Sequence, residues 1–168
     1  EGGTKLAVNA RPLVADWAIL DAGLTFGLPA HVTAATGLDA IVHCIEAYTS
    51  ARLKNPISDA LAREGFRLLT GNLLKAIREP RNAEARSAML LGAHLAGQAF
   101  ANAPVAGVHA LAYPLGGLHH LPHGLSNALM LRVVLQHNSE AARELYAELA
   151  PLLDPACEPA GSQARCAT

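Results

Sequence analysis

Asp39 and His43 stand four residues apart in a stretch with helical patterning. That spacing places both side chains on one helix face, about a turn apart. A carboxylate oxygen and an imidazole set this way suit a divalent cation. Asp-x-x-x-His is also common as a surface hydrogen-bonded pair, because residues of these types favour the surface. The neighbours Leu38, Ile41, Val42 and Ile45 leave this face little solvent to look at. His109 and His123 lie in residues 87–131, which hold no Asp, Glu, Lys or Arg. A lone buried histidine is more often a satisfied core residue than a ligand. Here two of them are separated by Gly116-Gly117, a break that can fold the chain back on itself. Metal ligation and core packing both stay open for this set.

The uncharged stretch could suggest a membrane span. It also contains His94, Gln98, Asn102, Pro104, His109, Pro114, His119, His120 and His123, each of which would need an internal partner in lipid. A buried helix pair around a polar site accounts for the same composition with fewer unsatisfied groups. At 168 residues the chain is one domain or a piece of one. Hydrophobic residues make up 51%, charged 16% and aromatic 4%, which excludes a disordered or collagen-like chain and favours helices packed on Ala, Leu and Val. Thirteen basic against fourteen acidic residues leave no global field for nucleic acid or anionic lipid. Neither a nucleic-acid nor a membrane partner is expected. Cys44, Cys157 and Cys166 lack C-x-x-C spacing, so no disulfide scaffold or zinc ribbon is indicated, and a cytoplasmic location is the simplest expectation.

The elements that must position these residues read as one strand followed by an all-α array. Residues 13–20 mix apolar and β-branched types and predict a short strand. Helices are predicted over 32–50, with Thr33 or Thr36 as cap, and over 56–77, opened by Pro56, Ser58 and Asp59. A third runs from Asn82 and Glu84 to the limit set by Pro104. A fourth begins near Val105 and ends before Gly116-Gly117, a fifth follows Pro122-His123-Gly124 to about His137, and a sixth covers 139–150. After Pro151 turn formers dominate, and the tail reads as irregular.

The segment Thr36-Gly37-Leu38-Asp39-Ala40-Ile41-Val42-His43-Cys44-Ile45-Glu46-Ala47-Tyr48 resembles the first signature of the iron-containing (group III) alcohol dehydrogenases. His109-Ala110-Leu111-Ala112-Tyr113-Pro114-Leu115-Gly116-Gly117, followed by Pro122-His123-Gly124-Leu125-Ser126-Asn127-Ala128, resembles the second. The similarity extends over residues 13–150. It implies a dehydroquinate-synthase-like helical domain in which Asp39, His43, His109 and His123 bind Fe²⁺ or Zn²⁺, both of which suit mixed nitrogen and oxygen ligands. The implied reaction is NAD- or NADP-linked oxidation of a small alcohol to its aldehyde or ketone, with the metal polarising the substrate oxygen. Phe100 matches a pocket-lining aromatic position and reads equally as core. Tyr113 stands where some members carry a second histidine, and a tyrosine is a poor proton shuttle near neutral pH. His119 and His120 read as loop or pocket rim, Cys44 reads as packing, and His31, His94 and His137 match no ligand position.

The sequence holds no G-x-G-x-x-G and no P-loop, whereas the family binds its nicotinamide mainly through an N-terminal α/β domain. The expected division is therefore 1–20 as a remnant of that domain, 21–151 as an incomplete helical metal-binding domain and 152–168 as an irregular tail. On this reading the chain is a fragment, inactive by itself, with exposed apolar surface that favours self-association. A homodimer is among the assemblies the family allows. Two other classes compete. One is a metal-dependent hydrolase with Glu46 as its nearby base, and the other is a non-catalytic helical fragment.

Overall fold

The computed structural model describes residues 13–157. Two consecutive helices are built from strong local signals. In α2 (Pro56–Arg78) the Asn55 side chain accepts from the backbone N–H groups of Ile57 and Ser58, and Ser58 closes a reciprocal capping box. Pro56 occupies the first turn, where its missing N–H costs nothing. Asn82 caps α3 (Ala83–Asn102) by accepting from Ala85 N at 3.0 Å. The short 79–82 connection makes α2 and α3 neighbours, and α1 (Ala30–Thr49) packs on both.

Small residues let these helices approach closely. A Cβ added to Gly65 would lie 3.1 Å from the Gly92 carbonyl oxygen, and one added to Gly92 would lie 3.2 Å from the Gly65 oxygen. Cys44, Ala62, Phe66, Leu69, Leu73, Ala96 and Ala99 fill the bundle core, with each fully buried leucine-sized side chain contributing roughly 1.5–3 kcal/mol. The last helix, α6 (Arg143–Leu153), lies along α2. Tyr48 donates to Glu148, Arg63 Nη1 donates to the Glu148 carbonyl at 3.2 Å, and Lys54 sits 4.1 Å from the Tyr48 ring centre.

Helices α4 (Gly107–His119) and α5 (His123–Asn138) form a hairpin that docks on α1, mainly through α5. A Cβ on Gly124 would fall 2.2 Å from the Ala35 carbonyl oxygen. Only a glycine allows the start of α5 to press on α1 this closely.

The described residues contain helices and no strand. The strand expected at 13–20 is absent: the segment is irregular and exposed, with no described strand to supply the inter-strand hydrogen bonds it would need. A short 3₁₀ turn, Ala22–Thr25, follows, capped by Asp21 accepting from Gly23 N at 2.8 Å. Neither Thr33 nor Thr36 caps α1. Thr36 donates back to the Val32 carbonyl, while Thr33 accepts from the buried Arg86. Helix α4 runs through Gly116-Gly117 instead of stopping before them and ends at His120, whose φ of 54° is left-handed. Glycine costs a helix about 1 kcal/mol per residue without terminating it. Likewise α6 starts later than expected, after the turn at 139–142, and continues past Pro151 to Leu153. Residues 1–12, most of the expected remnant, and 158–168, most of the expected tail including Cys166, lie outside the described residues.

Candidate metal centre

Asp39, His43 and Glu46 recur at helical spacing on one face of α1. Against this face α4 places His109, and α5 places His123 with Asn127 one turn further on. Ligand atoms from Asp39, His109 and His123 all lie within 4.8 Å of one another. Asp39 Oδ1 is 3.7 Å from His109 Nε2 and 3.6 Å from His123 Nε2. The structure thus brings together three of the four residues the sequence singles out. His43 stands beside them rather than among them. Its ring stacks on Phe100 with centroids 4.5 Å apart and an interplanar angle of 19°, and tilts against His109 at the same centroid distance.

Glu46 is committed on both oxygens. It accepts from Val108 N and from His109 Nδ1, each at 2.6 Å, and is only 4% exposed. A carboxylate on Nδ1 fixes the ring so that Nε2 faces the cluster, the arrangement typical of metal-bound histidines. This use leaves Glu46 unsuited to be the solvent-facing base of a hydrolase.

The charges of the cluster follow from burial and pairing. Burial pushes the His43 pKa down to about 4 against the attraction of Asp39, so its imidazole is neutral and able to ligate near neutral pH. Burial opposes charge on His109 too, but Asp39 and Glu46 outweigh it and raise that pKa to about 9. Burial disfavours the Asp39 carboxylate, yet the hydrogen bond with His109, the charge of His43 and the Asn127 amide together hold its pKa below the usual value. The cluster attracts positive charge.

Asn127 Nδ2 stands among the ligand atoms, 2.5 Å from Asp39 Oδ1, 3.1 Å from His109 Nε2 and 3.3 Å from His123 Nε2. A cation near that point would meet the same carboxylate and two imidazoles, a donor set that suits Fe²⁺ or Zn²⁺. The residues present therefore fit a divalent metal. Sequence reasoning missed Asn127, although its signal was present: it follows His123 by four, the spacing that drew attention to Asp39 and His43.

The Tyr113 ring stacks on His123 with centroids 5.9 Å apart and meets His109 edge-on. It is 41% exposed, whereas Phe100, stacked on His43, is half-buried. His31, His119, His120 and His137 are exposed and His94 is half-buried. Cys44 is fully buried with its thiol pushed up to about 12 by burial, an inert packing residue.

The family model described as "Fe-containing alcohol dehydrogenase family, C-terminal" matches residues 33–167. Long-chain-alcohol dehydrogenase 1 of Geobacillus thermodenitrificans is 47% identical over 146 residues, covering 87% of this chain and 37% of that protein. Among solved structures, a 1,3-propanediol oxidoreductase superposes with a TM-score of 0.78 at 44% identity, covering 80% of this chain and 35% of the other. Sulfoacetaldehyde reductase from Bifidobacterium kashiwanohense, solved in complex with NAD⁺, gives 0.67 at 33% identity, covering 74% and 35%. The chain spans little more than a third of the length of these relatives.

Proposed function

Because the chain belongs to the Fe-containing alcohol dehydrogenase family, we propose that it supplies the metal-binding helical part of an NAD(P)-linked alcohol dehydrogenase acting on a small alcohol and the matching aldehyde or ketone. The observation that carries this reading is the convergence of Asp39, His109 and His123 within 4.8 Å, with Glu46 behind His109. Asp39, His43, His109 and His123 would hold Fe²⁺ or Zn²⁺, and when bound the metal supplies Lewis-acid polarisation of the substrate oxygen for hydride exchange with a nicotinamide.

The chain's own residues prepare that site. Glu46 orients His109 and stabilises a positive centre on it. Val42, Val108 and Val134 form a buried apolar cluster where α1, α4 and α5 meet. Phe100 and Tyr113 flank the histidines and define the walls against which a short carbon chain would lie. The sequence has no glycine-rich dinucleotide loop, so the role assigned to these residues is the metal side of the reaction. On this reading 21–151 is the metal-binding unit and 1–20 belongs with the nucleotide-binding part.

Elemental analysis of chain purified without chelator tests the reading, alongside Asp39→Ala and His43→Ala. About one equivalent of iron or zinc is expected, lost in the first variant and bound more weakly in the second. A folded chain that takes up neither metal, even with anaerobic Fe²⁺, would reject it. Metal uptake unaffected by His43→Ala would restrict the ligand set to the three converged residues.

A further inference from the structure

The Asn127 side chain is fully buried, yet its Oδ1 has no hydrogen-bond partner among the described residues. Its nitrogen, with two N–H groups, faces the Asp39 carboxylate oxygen and the Nε2 atoms of His109 and His123 instead. A buried amide that leaves its carbonyl unsatisfied while crowding its nitrogen is oriented by the cluster, not by its own hydrogen-bonding needs. The physical demand is plain. Asp39 Oδ1, His109 Nε2 and His123 Nε2 converge in a partly buried space, where any two of them that carry lone pairs repel unless a donor or a cation lies between them.

We propose that Asn127 is a positioning residue that stands in for the cation, holding the ligand atoms converged while the site carries no metal. The proposal rests on reading the cluster as a metal centre. Once imidazole lone pairs are given to a metal they no longer accept from an amide, so Asn127 keeps only its bond to Asp39. Asn127 therefore stabilises the metal-free arrangement more than the loaded one, and it competes mildly with the metal. This differs from ordinary support of a bound metal, whose loss weakens affinity.

The test is thermal unfolding of the chain, wild type against Asn127→Ala, in chelator and with Co²⁺ or Zn²⁺, together with Co²⁺ titration followed by its visible absorption. The variant should lower the Tm of the chelated protein by ~4 °C or more, move the loaded protein by less than half as much, and bind Co²⁺ as tightly as wild type or more tightly. Asn127→Asp keeps the size but replaces the donor with a fourth acceptor. It should widen the gap between chelated and loaded melting temperatures further, and it decides the question if the alanine variant does not fold. Equal losses in both states would show a merely structural role and overturn the proposal. So would Co²⁺ affinity weakened by ~10-fold, or a chelated protein indifferent to the substitution because a proton on His109 meets the demand instead. No Tm rise with metal in either protein would reject the metal-centre reading itself, and the stand-in role with it.

Discussion

The α1–α3 bundle and the α4–α5 hairpin are held by different physics. In the bundle, Leu69, Phe66, Leu73 and a set of alanines and glycines interlock in a mainly apolar core, with the buried Arg86–Thr33 pair joining α3 to α1. Where the hairpin meets α1, the apolar core shrinks to Val42, Val108 and Val134, and polar contacts take over: Glu46 to Val108 and His109, and Asn127 to Asp39. The bundle's apolar core makes little use of the charged groups of the site, whereas the hairpin's contacts with α1 run through them. The candidate metal centre thus lies at the junction between an apolar bundle and a hairpin held by polar contacts.

The contrast can be broken most severely from the bundle side. Leu69→Ala, at a position that is 0% exposed, should cost about 2–5 kcal/mol and lower the cooperative melt of the whole chain. Added metal should restore only part of that loss. Next in size, Gly124→Ala forces a Cβ to 2.2 Å from the Ala35 oxygen and should cost about 1–3 kcal/mol. Hydrogen exchange should then show α4 and α5 opening while α2 and α3 stay protected. Equal deprotection of both regions would mean that they unfold as one unit and that the contrast is wrong.

Glu46→Gln removes the charge behind His109 while nearly preserving shape. Metal affinity should fall about 10–100-fold, with a melting temperature in chelator that changes far less than for Leu69→Ala. Titration calorimetry with Zn²⁺ reads this directly.

The pH response sharpens the comparison further. His109 has its pKa raised to about 9, above the ordinary histidine value, so its contribution is complete below about pH 6.5 and is lost as pH rises through 9. His43 has the opposite shift, to about 4, so its contribution is complete above about 6.5 and is lost as pH falls towards 4. Melts in chelator should therefore peak between these limits. His43→Gln should flatten the acid side and leave the alkaline side unchanged. The smallest effect is expected for Tyr113→Phe. At 41% exposure it should shift stability by no more than about 0.5 kcal/mol and leave metal affinity unchanged.

Much of the fold was legible because its signals are local. Pro56 with Ser58 and Asp59, and Asn82 with Glu84, mark helix starts through chemistry that acts within a few residues, and the structure adds Asn55 as the cap of α2. Local signals mislead where they meet a non-local requirement. Residues 13–20 have strand-like composition but no described strand beside them. Gly116-Gly117 looked like a stop, but the end of α4 came from a left-handed residue three positions on. Local periodicity reveals neither a partner strand nor a backbone sign.

The candidate site divides in the same way. The sequence by itself determined that Asp39, His43 and Glu46 share a helix face, since 3.6 residues per turn leave no alternative. His109 and His123 stand out in the uncharged stretch with ligation and core packing both open, and likeness to a family makes them the expected companions. Only the tertiary structure decided which atoms meet: His109 and His123 converge on Asp39, His43 lies on Phe100, Glu46 turns to His109, and Asn127 enters the centre. Those outcomes depend on how closely α5 can approach α1, which the contact between Gly124 and Ala35 sets. A helix fixes the direction of its own side chains, but the distance between two helices is set by the smallest residue where they cross.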